Sequence, residues 1–238
     1  MLDYVNLVGL PDEVFCLFSD RFQTFLWNFV LPKDNHSKIM AQNELFPIFL
    51  KLNTLDVLLV GGGNVGLEKI SAMLQNSPEA RITVVAPMIL VSLWEYIRHF
   101  EQVQIIEREF QEQDLDNRDL VILATDNPQL HATIKATTKQ RRILCNVADT
   151  PHLCDFYLGS IVQKGDLKIA ISTNGKSPTL AKRMRQYLEH ALPDNTQELI
   201  NNLTNIRNKL KGDFKFKVEA LNNVTKILSN SDDEYLQN

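Results

Sequence analysis

The chain of 238 residues has few cysteines, no long apolar run and no excess of basic residues. Its three cysteines lack metal-ligand spacing and the even count of a disulfide framework, which favours a reducing compartment such as the cytoplasm. Asp20 and Arg21 interrupt the aromatic-rich stretch 15–31, so no stretch reaches the roughly 20 apolar residues of a membrane span. A net charge of −4 gives no sign of nucleic-acid affinity. We therefore expect a soluble cytoplasmic protein without membrane or nucleic-acid partners. The cysteines, each expected to be a small buried hydrophobic residue, are Cys16, Cys145 and Cys154.

The first 42 residues differ in character from the rest of the chain. Asp3 and Glu13 stand where a signal peptide would be basic. After the polar stretch 33–38, Met40–Leu50 resembles a fresh N-terminus that leads into an edge strand, a position that tolerates Pro47. We expect residues 1–42 to be an extension without function, with Met40 as the working start.

A glycine loop after a short apolar run is the most informative stretch. Val57–Val60 is typical of a strand buried on both faces of a parallel sheet. Three glycines then occur with the spacing G-x-G-x-x-G, which serves a tight turn, a close approach of backbone to pyrophosphate, and close packing of helix on strand. The next residues would present backbone N–H groups to phosphate at a helix N-terminus. The expected cofactor contacts here are Gly61, Gly62, Gly63, Asn64, Val65 and Gly66.

The remaining pattern alternates strands and helices, which favours an α/β fold with a Rossmann-like parallel sheet over residues 43–155. Two further strands are predicted within 156–176 and three helices within 177–238. Ser177 is the expected N-cap of the first of these helices, with Pro178 at its first position. The predicted strands are 57–60, 80–86, 103–110, 119–124, 142–148, 156–162 and 167–172, and the predicted helices are 67–75, 93–100, 129–140, 178–191, 197–210 and 214–228.

Two polar clusters fall at carboxyl ends of predicted strands, where open parallel sheets bind ligands. One is Thr125 with Asp126, and the other is Asn146–Asp149. Asp149 is the best candidate for acid–base chemistry, while the equally weighted alternative is that it caps the turn at Thr150 and Pro151.

The acidic residue that usually binds the adenosine ribose is missing. It should lie about 20 residues past the glycine loop, yet no Asp or Glu occurs between Arg81 and Trp94. Backbone groups at Pro87 and Met88 could contact the adenosine instead. The residues alone therefore leave NAD and NADP both open.

Basic residues gather in one region, with Asp166 as its single acidic residue. They could bind a polyanionic substrate, but a solvated helix face with loop lysines is the favoured interpretation. His131 and His152 are candidate ligands or proton carriers and are expected, more simply, on a helix surface and in a loop. The basic residues are Lys164, Lys168, Lys176, Lys182, Arg183 and Arg185.

Five motifs in order resemble one known family. They occur as Phe46–Leu50, Val60–Gly66 with Lys69, Ala124–Asp126, Cys145–Asp149 with Pro151, and Ser172–Ala181. Together they resemble the precorrin-2 dehydrogenase/sirohydrochlorin ferrochelatase family, which includes the N-terminal part of bacterial siroheme synthase, over about residues 43–210. Many relatives have Ala where this chain has Gly66, a difference expected to be harmless for helix packing.

The resemblance implies NAD-dependent oxidation of precorrin-2 to sirohydrochlorin in siroheme biosynthesis, with Asp149 as the essential aspartate. It also implies a homodimer in which 156–176 is the dimerisation region, with the tetrapyrrole bound between NAD and residues of both regions. Some members also insert ferrous iron, a lyase activity that these residues leave undecided. The methyltransferase domain of fused enzymes is not expected here. The implied substrate contacts are Asn146, Lys176, Ser177, Lys182 and Arg183, and the implied cofactor contacts beyond the glycine loop are Pro87, Met88, Thr125 and Asp126.

Three alternatives stay open at this point. A non-catalytic NAD-sensing Rossmann module would also carry the glycine loop, but it would not need Asn146–Asp149. A dehydrogenase for a small substrate would need a catalytic His or a Tyr–Lys pair, which has no clear counterpart. A chelatase that has lost dehydrogenase activity would not need to bind NAD.

Overall fold

The structure is a computed structural model, and it describes residues 43–226. The expectations for residues 1–42, and for the helix end at 228, lie outside this range. The described chain divides into two compact units, Leu45–Leu158 and the residues from Gly159 onward with Asn43 and Glu44. No helix within residues 43–226 is both long and apolar enough to cross a membrane.

The first unit is built on a parallel sheet of five short strands in the order β3-β2-β1-β4-β5. Branched apolar residues fill the central strands, and β1 is buried from Val57 to Val60. The strand order reverses at β1, so the glycine loop lies where such sheets bind ligands. The strands are β1 (Asp56–Val60), β2 (Arg81–Ala86), β3 (Val103–Glu107), β4 (Leu120–Leu123) and β5 (Leu144–Val147).

Helices cover both faces of this sheet, and a hydrophobic core lies under each face. On one face α1 (Asn64–Asn76) and α2 (Val91–Ile97) pack over alternate residues of β1 and β2. On the other face α3 (Pro128–Arg141) buries Ile134 against β4 and β5. The two-sided burial explains why the central strands are continuous apolar runs.

The second unit combines a hairpin with three helices. The strands β6 (Ser160–Lys164) and β7 (Leu167–Ile171) pair antiparallel across a turn with Gly165 at φ +61°. The helices are α4 (Pro178–Ala191), α5 (Thr196–Lys209) and α6 (Phe214–Thr225). Ser177 caps α4 by accepting the Leu180 N–H at 3.2 Å, which confirms the predicted helix start.

One predicted element is wrong. No strand forms within residues 43–50, and Phe46, Ile48 and Phe49 are exposed. Pro47 has no N–H to donate to a sheet, and the short 3₁₀ turn Leu52–Thr54 separates the segment from β1. The α/β fold class and the order of the other elements are as predicted.

Candidate functional site

The glycine loop presents the N-terminus of α1 at the carboxyl end of β1. Gly63 is the N-cap residue, and the first helical hydrogen bond joins the Leu67 N–H to the Gly63 carbonyl at 3.0 Å. The N–H groups of Asn64 and Val65 therefore have no acceptor within the helix. No acidic side chain lies in the first turn to neutralise them. This geometry is suited to an anion such as pyrophosphate.

Three of the glycines are required by crowding. A β-carbon on Gly61, at φ +123°, would collide with the Ala124 carbonyl, and one on Gly62 would collide with the Met88 carbonyl. A β-carbon on Gly66 would collide with the Gly61 carbonyl oxygen. Gly66 therefore suits the close packing of this helix on the loop, whereas an alanine there would require a shift of the backbone.

Gly63 is different, because a β-carbon there would meet no atom of the described residues within 4 Å. Nothing in that part of the chain explains the missing side chain, since its φ of −87° is open to any residue. The space over Gly63 is where a close approach of pyrophosphate needs a bare backbone. The loop therefore fits a dinucleotide.

The segment after β2 packs on the glycine loop. The Leu90 N–H donates to the Gly62 carbonyl at 2.9 Å. Pro87 and Met88 are exposed beside this contact, and Met88 is 73% accessible. The two predicted adenosine contacts therefore lie next to the loop that would hold the pyrophosphate.

The segment after β4 lies on the other side of the same loop. A β-carbon on Gly61 would stand 3.1 Å from the Thr125 backbone nitrogen. The Thr125 hydroxyl also lies 2.8 Å from His131 Nε2 and accepts the Asn127 N–H at 3.3 Å. Asp126 is exposed. The structure thus brings Thr125 and Asp126 to the predicted cofactor site.

His131 is not the surface residue that the sequence predicts, because it is only 5% exposed. Burial lowers the pKa of its imidazole, partly offset by a hydrogen bond with Thr125 and by the Asp126 carboxylate. The sequence analysis named His131 as a candidate but missed its burial, although its spacing to Ile134 and Thr138, both buried on α3, was a usable signal. His152, in the turn Pro151–Leu153, is exposed as predicted.

Asp149 follows β5 in a left-handed conformation, with φ +56°. Such a conformation costs a non-glycine residue about 1 kcal/mol and is concentrated at functional sites. Its side chain is exposed, and within residues 43–226 the carboxylate accepts no hydrogen bond. The alternative that it caps the following turn is therefore not what the structure shows.

A cysteine holds the chain around Asp149. Cys154 Sγ lies 3.2 Å from the Val147 N–H and 3.1 Å from the Val147 carbonyl, and Thr150 donates its hydroxyl to the Ala148 carbonyl at 3.2 Å. Burial raises the pKa of the neighbouring Cys145 thiol to about 11, so this cysteine is an inert core residue as predicted. Cys154 is half-buried and has a structural task beyond filling space.

Asn146 is buried and used internally. Its amide donates to the Phe156 carbonyl at 2.7 Å, which fixes the segment after Asp149. This contact explains why an amide is needed at the position. Its predicted role as a substrate contact stays a prediction.

The basic residues named as substrate contacts lie in the second unit. Lys176 and Lys182 are exposed and form no ion pair with any described residue. Arg183 contacts the side-chain oxygen of Gln186 at 3.2 Å. Lys164 and Arg185 are instead paired, with Asp194 and Glu189 respectively. The basic region therefore contains residues that are paired with carboxylates and, around the start of α4, three residues that have no carboxylate partner within residues 43–226.

Two family models match the chain. The model described as "Putative NAD(P)-binding" matches residues 48–160, which contain the five-stranded sheet. The model described as "Sirohaem biosynthesis protein central" matches residues 164–191, which contain the hairpin and α4. The two matches together place a nucleotide-binding domain before a domain of siroheme enzymes.

The chain is similar to several curated proteins and to a solved structure. The siroheme synthase of Pseudoalteromonas translucida is 38% identical over 172 residues, 72% of this chain and 36% of that protein. The siroheme synthase of Psychrobacter arcticus is 37% identical over 179 residues, 74% of this chain and 31% of that protein. The chain thus spans about a third of the length of these relatives. The structure of SirC, a precorrin-2 dehydrogenase, matches with a TM-score of 0.58 and 27% identity over 78% of this chain and 90% of that one. The chain therefore belongs to the precorrin-2 dehydrogenase/sirohydrochlorin ferrochelatase family, which includes the N-terminal part of siroheme synthase.

Proposed function

We propose that this chain acts in the cytoplasm as an NAD-dependent dehydrogenase that oxidises precorrin-2 to sirohydrochlorin. The observation that carries the proposal is that a dinucleotide-type loop at β1 and Asp149 after β5 lie on the same edge of one sheet. The backbone of Asp149 is left-handed, and its carboxylate has no partner among residues 43–226. A module that only senses NAD has no need for Asp149 in this conformation.

Different residues of the protein bind the cofactor and accept the proton. The N–H groups of Asn64 and Val65 hold the pyrophosphate, and the backbone at Pro87 and Met88 contacts the adenosine. When bound, NAD⁺ would supply the two-electron acceptor for the hydride that leaves the reduced macrocycle. Asp149 takes the proton that leaves the macrocycle in the same oxidation, and both of its oxygens can accept it because no described residue donates a hydrogen bond to them.

Basic residues of the second unit would bind the substrate's carboxylates. Lys176, Lys182 and Arg183 carry positive charge around the start of α4, and ammonium and guanidinium groups form charge-assisted hydrogen bonds with carboxylates.

The family relationship further leads us to propose a homodimer, which sedimentation equilibrium would test as a mass of twice 27.2 kDa.

The test is an anaerobic absorbance assay with precorrin-2, with and without NAD⁺, on the wild type, Asp149→Ala and Asp149→Asn. We expect sirohydrochlorin only with wild type and NAD⁺, and a loss of at least about a hundredfold in both variants because the base is gone. Asn tolerates the left-handed conformation well, so Asp149→Asn separates the lost charge from a disturbed turn. If the wild type binds NAD⁺ but leaves the macrocycle unoxidised, the sensing-module alternative replaces this proposal.

Iron insertion is the second candidate activity, because the same exposed carboxylate could accept the two pyrrole protons that a metal displaces one after the other, releasing the first to solvent before it takes the second. Anaerobic incubation of sirohydrochlorin with ferrous iron, with and without protein, would test it. Protein-dependent formation of siroheme that fails in Asp149→Asn supports the activity. A rate equal to the spontaneous rate contradicts it.

A further inference from the structure

The end of β2 lacks a group to recognise the adenosine ribose. Position 86, twenty residues past Gly66, is an alanine, where NAD-binding sheets usually carry a carboxylate and NADP-binding sites have an arginine nearby. The next residues up to Leu90 carry no charge of either sign. Neither the 2′-hydroxyl of NAD nor the 2′-phosphate of NADP therefore finds its usual partner on β2 or in the loop after it.

The neighbouring strand supplies a carboxylate at the same level. In the parallel pairing of β2 with β3, Glu107 stands directly beside Ala86. Paired residues of adjacent strands project from the same face of a sheet, and here Ile105, two residues earlier on β3, packs in the core under α1 and α2. Glu107 therefore projects toward the face that carries the glycine-loop helix.

Glu107 is also available. It is exposed, and within residues 43–226 its carboxylate forms no ion pair or hydrogen bond. The adjacent cation is not available, because Arg108 donates to Asp114 Oδ2 and Oδ1 at 2.8 and 2.6 Å and to the Glu109 carbonyl at 2.9 Å. At this end of β3, the Glu107 carboxylate thus has no partner among residues 43–226, whereas the Arg108 guanidinium is already bound to Asp114.

We propose that Glu107, from β3, takes the place of the missing β2 carboxylate and makes the site selective for NAD over NADP. Its carboxylate accepts a hydrogen bond from the 2′-hydroxyl of NAD and repels the 2′-phosphate of NADP. The proposal rests on the dinucleotide site proposed above, and it adds the residue that chooses between the two cofactors.

The test compares NAD⁺ and NADP⁺ binding by isothermal titration calorimetry on the full chain, for the wild type, Glu107→Gln and Glu107→Arg. Glu101→Gln and Glu101→Arg are matched controls, because Glu101 is an exposed carboxylate just before β3, at the opposite end of that strand. We expect the wild type to prefer NAD⁺ at least about tenfold, Glu107→Gln to lose most of that preference, and Glu107→Arg to bind NADP⁺ at least about tenfold more tightly than the wild type does.

The outcomes separate the two proposals. If NAD⁺ binds and the ratio of the two affinities is the same in Glu107→Gln as in the wild type, the role of Glu107 is wrong and the dinucleotide site stands. If the Glu101 variants change the ratio as much as the Glu107 variants do, the effect is one of net charge and the role is again wrong. If the folded wild type binds neither dinucleotide, both proposals fail.

Discussion

Two glycines of the loop have different roles, since Gly61 is required by the packing of the chain and Gly63 leaves space for the cofactor. Substitution of each by alanine distinguishes these roles. Gly61→Ala places a β-carbon against the Ala124 carbonyl at a φ of +123°, so we expect it to lower the free energy of unfolding by at least about 2 kcal/mol. Gly63→Ala has open space and an ordinary φ, so we expect a loss of less than about 1 kcal/mol together with weakened NAD⁺ binding. Urea unfolding and calorimetric titration measure the two effects. Equal stability of the two variants would contradict the packing argument.

His131 makes the stability of the first unit depend on mildly acidic pH. Burial lowers its pKa below the unfolded value of 6.5, so the unfolded chain binds a proton more readily. Protonation of His131 therefore does not favour the unfolded chain above pH 6.5, and the free energy of unfolding falls as the pH drops from that value toward the folded pKa. We expect the unfolding free energy of His131→Gln to decline less than that of the wild type between pH 7 and pH 5.

The control for this prediction is His99→Gln, which changes an exposed histidine just past the end of α2. Its pH profile of unfolding should match that of the wild type. If His131→Gln also tracks the wild-type profile, protonation of the buried imidazole does not limit acid stability.

The connection between β3 and β4 depends on one carboxylate. Asp114 accepts hydrogen bonds from the Gln111 N–H at 2.8 Å and from the two terminal guanidinium nitrogens of Arg108. The hydrogen bonds from Arg108 hold the pKa of Asp114 below its usual range. This stabilisation is present above the unfolded pKa and is lost as the pH falls through the lowered folded value. We expect Asp114→Ala to cost about 2 kcal/mol at pH 7, measured by urea unfolding. Asp116→Ala, an exposed partner of Arg141, should cost less than about 1 kcal/mol, and an equal cost would contradict the argument.

The elements that the sequence predicted well are those fixed by local pattern. Four-residue apolar runs between turn residues predicted the buried strands, and the Ser–Pro pair predicted the start of α4. Element ends were less predictable where tertiary contacts decide them. The strand expected to run to Phe110 ends at Glu107, where Arg108 turns to bind Asp114. The edge strand expected before residue 50 does not form, because a strand also needs a neighbouring strand with which to pair.

The same distinction holds for the site. Thr125, Asp126 and Asp149 were predictable because carboxyl ends of parallel strands meet at one edge. The burial of His131 was only partly predictable, because its spacing places it on the helix face of Ile134 and Thr138, but the packing of α3 on β4 and β5 decides that this face is buried. Glu107 could not be matched to Ala86 from sequence, since the pairing of β2 with β3 is set by register in the folded sheet.

At the scale of the whole molecule, the two units carry different kinds of recognition. The first unit has backbone N–H groups and glycines suited to a dinucleotide, and the second has basic side chains around the start of α4 that form no ion pair with a described residue. If this division is right, charge removed from α4 should alter use of the tetrapyrrole without altering cofactor affinity. Changes in the glycine loop should do the reverse.

The variant that tests this division is Lys182→Gln with Arg183→Gln. Because exposed charges act through a screened field, we expect the KM for precorrin-2 to rise several-fold at about 0.05 M salt and the difference from wild type to shrink at about 0.5 M. The KM for NAD⁺ should not change. The matched control, Lys209→Gln with Lys211→Gln, removes the same charge from exposed positions at and just past the end of α5. A similar rise in the control would assign the effect to net charge, whereas a rise in the KM for NAD⁺ would show that the basic residues serve the cofactor.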